Sequence, residues 1–172
     1  QLGGGVSPEN AEDWLDAGAS HVIVTSYVFR NGQIQYDNLE KMRNTVGKEH
    51  LVLDLSCRKK EDGYYIVTNR WQTFTDVRLT EGLMDEIADY CDEFLVHGVD
   101  VEGKASGVDE ELAPLLASHR RRPVTYAGGI GSLDDLERFE RLTGGHVDFT
   151  IGSALDLFGG KIPYEKMRMF CD

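Results

Sequence analysis

Asp54 is the first residue that asks for a chemical explanation. It interrupts an apolar run, Leu51-Val52-Leu53-Asp54-Leu55. A carboxylate in such a run carries a heavy desolvation cost unless it reaches a polar pocket. A carboxylate held in a pocket can move protons; the plainer alternative is a helix-capping or ion-paired Asp. Asp100 and Glu102 follow the next apolar run, Glu93-Phe94-Leu95-Val96-His97, and offer a second carboxylate. His97 closes that run, where it either orients a loop or meets a ligand.

Two glycine pairs suggest a different chemistry. Gly4-Gly5-Val6-Ser7 leads through Trp14 to the run ending Val24-Thr25-Ser26. Gly128-Gly129-Ile130-Gly131-Ser132 leads through Phe139 to the run ending Ile151-Gly152-Ser153. Each copy reads as a strand, a Gly-Gly turn, a helix, a strand and then a small polar residue. Glycine turns expose backbone N–H groups, and a small residue at the next strand end leaves room for an anion. A tight turn explains either copy alone. The matched pair points to two phosphate sites.

Such residues must be positioned by regular elements. Residues 21–26, 51–55, 93–97, 123–127 and 146–151 read as buried parallel strands, apolar on both faces. Between them lie helical faces: Ala11, Trp14, Leu15 and Gly18; Leu79, Leu83, Ile87 and Cys91; Leu133, Leu136, Phe139 and Leu142. Ser7 before Pro8 and Ser132 before Leu133 are the expected N-caps. Residues 107–119 form a further helix, whose Pro114 imposes a late start or a kink. Trp14 and Phe139 are expected in the core, and His21 and His146 as structural residues. Alternating β and α elements imply a parallel sheet with right-handed crossovers. A (β/α)8 barrel places phosphate sites in the loops at the C-terminal ends of its strands. One stretch, residues 59–75, breaks the rhythm as a long excursion, read as a small hairpin.

Composition sets the limits. The chain has 172 residues, 41% hydrophobic and 28% charged, with a formal net charge of −12. That balance excludes a general nucleic-acid binder, which needs a basic face. No apolar run approaches the roughly 20 residues of a membrane-spanning helix. The three cysteines, Cys57, Cys91 and Cys171, are scattered and suggest neither zinc nor a disulfide framework, which fits a reducing, cytoplasmic setting.

An ordered set of segments now carries a resemblance. It comprises Gly3-Gly4-Gly5-Val6, Val24-Thr25-Ser26, Leu53-Asp54-Leu55-Ser56-Cys57-Arg58, Trp71-Gln72-Thr73, Val96-His97-Gly98-Val99-Asp100-Val101-Glu102-Gly103, Ala127-Gly128-Gly129 and Ile151-Gly152-Ser153. Together they resemble the phosphoribosylformimino-AICAR ribotide isomerases of histidine biosynthesis, in the branch found in eukaryotes and some bacteria. The resemblance implies a (β/α)8 TIM barrel and an aldose–ketose isomerase. The reaction would be an Amadori rearrangement, aminoaldose to aminoketose, of a substrate with a phosphate at each end. Two carboxyl groups suffice for it, with no metal and no redox cofactor.

Residue by residue, the resemblance implies that Gly4, Gly5, Thr25 and Ser26 hold one phosphate, that Gly128, Gly129, Gly152 and Ser153 hold the other, and that Asp54 is the family's strand-five aspartate, with a catalytic role. The general acid falls to Glu102 or Asp100, because Gly98 stands where the family has Thr and one residue is missing before Gly103. Trp71 would stack on the substrate's imidazole-carboxamide. Arg58 pairs either with a phosphate or with the acidic surface, and His97 is a candidate substrate contact. The sister family, the cyclase subunit of imidazole glycerol phosphate synthase, shares the barrel and both phosphate sites, but carries a strand-five Lys in a different local sequence. A non-catalytic phosphate-binding barrel fragment is the rival from another class.

A whole barrel takes about 250 residues. Residues 1–172 then read as a single domain of about six of the eight βα units, strands three to eight, with Gln1-Leu2 as the tail of strand three. Strands one and two, with the family's general base on strand one, would lie outside the chain and pack on its strand-three edge. The expected location is the cytoplasm, or the plastid for a plant chain.

Overall fold

The computed structural model describes residues 1–102 and 107–168. Its strands are β1 (Leu2–Gly3), β2 (Val22–Val24), β3 (Phe29–Arg30), β4 (Gln33–Ile34), β5 (Leu51–Asp54), β6 (Cys57–Lys60), β7 (Gly63–Thr68), β8 (Thr73–Arg78), β9 (Glu93–His97), β10 (Val124–Ala127) and β11 (Asp148–Thr150). Its helices are α1 (Ala11–Asp16), α2 (Tyr36–Val46), α3 (Glu81–Ile87), α4 (Leu112–Ser118), α5 (Leu133–Thr143) and α6 (Tyr164–Arg168).

Six strands form one parallel sheet in the order β1-β2-β5-β9-β10-β11, which is also their order along the chain. Helices cross between them, as in a partial α/β barrel. The register explains the burial. Val22 and Val24 align with Leu51 and Leu53, Leu53 with Phe94, and Phe94 and Val96 with Val124 and Tyr126. All eight side chains are at most 1% exposed. They share a core with Leu39, Met42, Met84, Ile87, Leu112, Leu116, Leu136 and Phe139 from the helices. Tyr126 stacks on Phe139 at 5.1 Å.

The other sheet face differs from the two-sided apolar expectation. Of the alternate residues, Ile23, Asp54, Glu93, Leu95, His97 and Thr125 are only half-buried, while Val52 and Ala127 are buried. Polar partners meet on this face: Thr125 donates to Glu93 at 2.6 Å, and Gln1 to the other Glu93 oxygen at 2.6 Å. Period-two alternation thus points one row into the helices and the other into an open interior.

Other expectations need correction. The excursion is a three-stranded antiparallel sheet, β6-β7-β8, rather than one hairpin. A second small hairpin, β3-β4, precedes α2; neither hairpin nor helix was foreseen. Ser7 does not cap α1. Asn10 occupies that position, and its side chain accepts from Ser7 N (3.0 Å) and donates to Gly5 O (3.1 Å), extending the turn by three residues. Trp14 is 39% exposed, so α1 buries Ala11 instead. Ser132 does cap α5, accepting from Asp135 N, and Gly144 closes that helix in the left-handed conformation. Helix α4 starts late, two residues before Pro114, where the proline ring is tolerated in the first turn. Cys171 lies outside the described residues.

Candidate active site

The C-terminal ends of the parallel strands carry two clefts. The first, of about 710 Å³, is lined by Gly4, Thr25, Ser26 and Asp54, together with the β7–β8 turn residues Asn69, Arg70 and Trp71. The second, of about 1050 Å³, is lined by His97, Glu102, the Gly128–Ser132 turn, Gly152, Ser153 and Lys161. Each glycine pair therefore shares a cleft with the strand-end residue or residues expected beside it. Gly5 follows Gly4 in the turn without lining the cleft.

The two turns are alike in conformation. Gly4 and Gly5 have φ of 112° and 66°; Gly128 and Gly129 have 123° and 73°. Each is followed by a buried aliphatic anchor, Val6 or Ile130. Side chains other than glycine rarely adopt such angles. In the second copy space forbids them as well: a Cβ on Gly129 would stand 2.1 Å from the carbonyl oxygen of Gly107.

Asp54 is held by three donors. Thr25 Oγ1 donates to Oδ2 at 3.0 Å. The backbone N–H and the hydroxyl of Ser56 both donate to Oδ1, at 2.8 and 2.5 Å. A half-buried polar strand residue is thus satisfied by its neighbours, as the cost of burial requires. Ser56 is fully buried and also lies 3.2 Å from Nδ1 of His97. His97 in turn meets the Trp71 indole, ring centroids 5.4 Å apart. Asp54, Ser56, His97 and Trp71 thus form a continuous bridge between the clefts. Ser56 was not singled out as a site residue from the sequence; its position two residues after Asp54, in the link between β5 and β6, was the available signal.

The two carboxylates after β9 part company. Glu102 lines the second cleft. Asp100 turns away to accept from Arg58 Nε at 3.0 Å and from Lys59 N at 2.8 Å. Arg58 lines neither cleft; its guanidinium also lies over the Phe74 ring. Gly103 lies outside the described residues. Arg70 and Lys161, one cation in each cleft, were not singled out from the sequence.

Asn69, Arg70 and Trp71 all have positive φ, 51°, 54° and 67°. Three successive residues other than glycine in that region mark a strained turn, and it is this turn that brings Trp71 to His97. The small sheet is anchored below. Tyr64 on β7 donates to Asp109 at 2.5 Å, and Asp109 N donates to the Tyr126 hydroxyl at 3.2 Å. Burial, then the bond to Asp109, raises the Tyr64 phenol far above its ordinary range. Burial pushes Tyr126 up to about 12. Both phenols are therefore un-ionised structural groups at neutral pH.

Comparison with known proteins places the sequence among relatives. A chloroplastic phosphoribosyl-(phosphoribosylamino)methylideneamino-imidazole-4-carboxamide isomerase of Medicago truncatula is 57% identical over 96% of this chain and 53% of its own length. Isomerases of the same name from Neurospora crassa and Saccharomyces cerevisiae are 47% and 44% identical over 94% of the chain and 64% of their own lengths. The chain thus spans about half to two thirds of the length of these relatives. The profile of the histidine biosynthesis proteins matches residues 1–163, which takes in both glycine turns, both clefts and the bridge between them. By sequence over nearly its whole length, the chain belongs to the histidine biosynthesis protein family.

Proposed function

We propose that this chain forms the substrate-binding and half of the proton-transfer apparatus of an isomerase. The reaction is the Amadori rearrangement of the bis-phosphorylated ribosyl-formimino-aminoimidazole carboxamide ribotide. The observation that carries the reading is the pairing of two like glycine turns in two clefts at one end of the sheet, with a carboxylate in each cleft. The turn at Gly4-Gly5, with Thr25 and Ser26, takes one phosphate. The turn at Gly128-Gly129, with Gly152 and Ser153, takes the other. This chain's share of the proton work falls to Asp54 in one cleft and Glu102 in the other, with Trp71 stacking on the heterocycle.

The six parallel strands serve as strands three to eight of a closed (β/α)8 barrel. The edge of β1 is the seam against which the preceding barrel segment packs, and that segment supplies the general base. Relatives named as isomerases favour this reaction over the cyclase reaction of the sister family. The proposed location is the cytoplasm, or the plastid in a plant. A relative named chloroplastic supports the latter, and no helix among the described residues is long and apolar enough to cross a membrane.

The test is conversion of the bis-phosphorylated substrate by the full-length protein. Asp54→Asn is expected to lower turnover by roughly 10²–10⁴-fold, the range of a lost acid–base group. Full activity in that variant would remove Asp54 from the mechanism.

A further inference from the structure

The Ser56 hydroxyl has one hydrogen, and the structure commits it. At 2.5 Å from Asp54 Oδ1, an oxygen that also accepts the Ser56 backbone N–H, the hydroxyl donates to the carboxylate. Toward His97 Nδ1, at 3.2 Å, it then has only a lone pair to offer. A contact between two acceptors would be repulsive, so Nδ1 must carry the hydrogen. In neutral His97 that leaves Nε2 without a proton. The backbone around Ser56 allows little escape from this geometry. Leu55 N donates to Leu95 O at 2.8 Å, Val67 N donates to Ser56 O at 2.9 Å, and the side chain is fully buried.

We propose that Ser56 is a positioning residue. By donating its hydrogen bond to Asp54 it locks His97 in the Nδ1–H tautomer, and so makes Nε2 a hydrogen-bond acceptor on a residue that lines the Glu102 cleft. The ligand group this acceptor suits is a hydroxyl or N–H, which the sugar-amine portion of the proposed substrate supplies. The proposal deepens the isomerase reading for turnover, but the tautomer itself does not depend on it.

The experiment is nitrogen NMR of the full-length protein labelled at histidine, at mildly alkaline pH, with the His97 signals assigned by their loss in His97→Gln. The expected wild-type result is a protonated Nδ1 and a bare Nε2. In Ser56→Ala the ring should revert to the Nε2–H form common in water, whereas Ser56→Thr, which keeps a hydroxyl, should retain the Nδ1–H form. In the isomerase assay Ser56→Ala should lose about tenfold in kcat, a modest part of an acid–base contribution, with KM changed little and Ser56→Thr restoring much of the loss. A wild-type His97 protonated at Nε2, or a tautomer unmoved in a folded Ser56→Ala, overturns the proposal. Unchanged kcat in Ser56→Ala overturns its link to turnover. If the wild-type protein shows the Nδ1–H form but converts no substrate, the isomerase reading fails and the positioning role stands.

Discussion

At the scale of single residues, the two carboxylates after β9 make the sharpest contrast. Glu102 faces a cleft, and Asp100 is spent on Arg58 and Lys59. Glu102→Gln is therefore expected to lower turnover by about a hundredfold while leaving the unfolding midpoint nearly unchanged. Asp100→Asn should do the reverse. It weakens a half-exposed ion pair, costing about 0.2–1 kcal/mol in urea unfolding, and leaves turnover within a few-fold of wild type. Equal losses of turnover in the two variants would return the acid assignment to either residue. From the sequence alone these two carboxylates could not be separated. They lie two positions apart in one loop, and only the fold shows that the Arg58 side chain on β6 draws one of them away. Ser56 was hidden for a similar reason. A serine just past a strand end says nothing until the carboxylate and imidazole that meet it are placed around it.

At the scale of elements, the glycine turns were legible because their requirement is local. Positive φ at two successive positions leaves few choices but glycine. The turns nevertheless differ in how tightly they are built. Gly129→Ala places a methyl against the Gly107 carbonyl in addition to straining the backbone, and is expected to cost about 2–4 kcal/mol. Gly4→Ala meets nothing within 4 Å and should cost only the backbone strain, about 1–2 kcal/mol. Urea denaturation of the two variants checks the order; a larger loss at Gly4 would contradict the packing described here. Helix α2 was overlooked because it announces itself weakly. Gln35 caps it without a side-chain bond, and its buried residues Leu39, Met42 and Val46 are scattered among charges. Their spacing of three and four was the signal that could have found it. The three-stranded excursion was read as a break in rhythm holding one small hairpin, and the anchoring of its Tyr64 on Asp109, distant in sequence, could not be seen before folding.

At the scale of the whole molecule, the order of the parallel strands could be read from the alternation of apolar runs and amphipathic helices. What could not be read was the division of the sheet into a sealed face and an open one, because Ile23 and Leu95 look as apolar as the residues buried beneath the helices. The sealed core also governs behaviour in alkali. The Tyr126 phenol keeps its proton in the fold up to about 12, whereas in the unfolded chain it is lost near 10, the usual tyrosine value. Its contribution is fully present below pH 10 and is lost as pH rises toward 12, at about 1.4 kcal/mol per pH unit for one group. Stability should fall over that window in chemical denaturation at a series of pH values. Tyr126→Phe should start less stable at neutral pH but show a shallower fall; an equally steep fall would assign the loss to other groups.

The likeness of the two glycine turns, near-identical in backbone and each set at a strand end, has a consequence for direction. On the proposed reading, a ligand anionic at both ends meets two receptors that differ little, so the turns by themselves cannot tell head from tail. Each cleft has a carboxylate and a cation, so the choice falls to what is unlike in the two: the Trp71 indole on one side and the His97 imidazole on the other. A molecule symmetrical enough to ignore those differences would seat backwards as readily as forwards and would occupy the site without reacting.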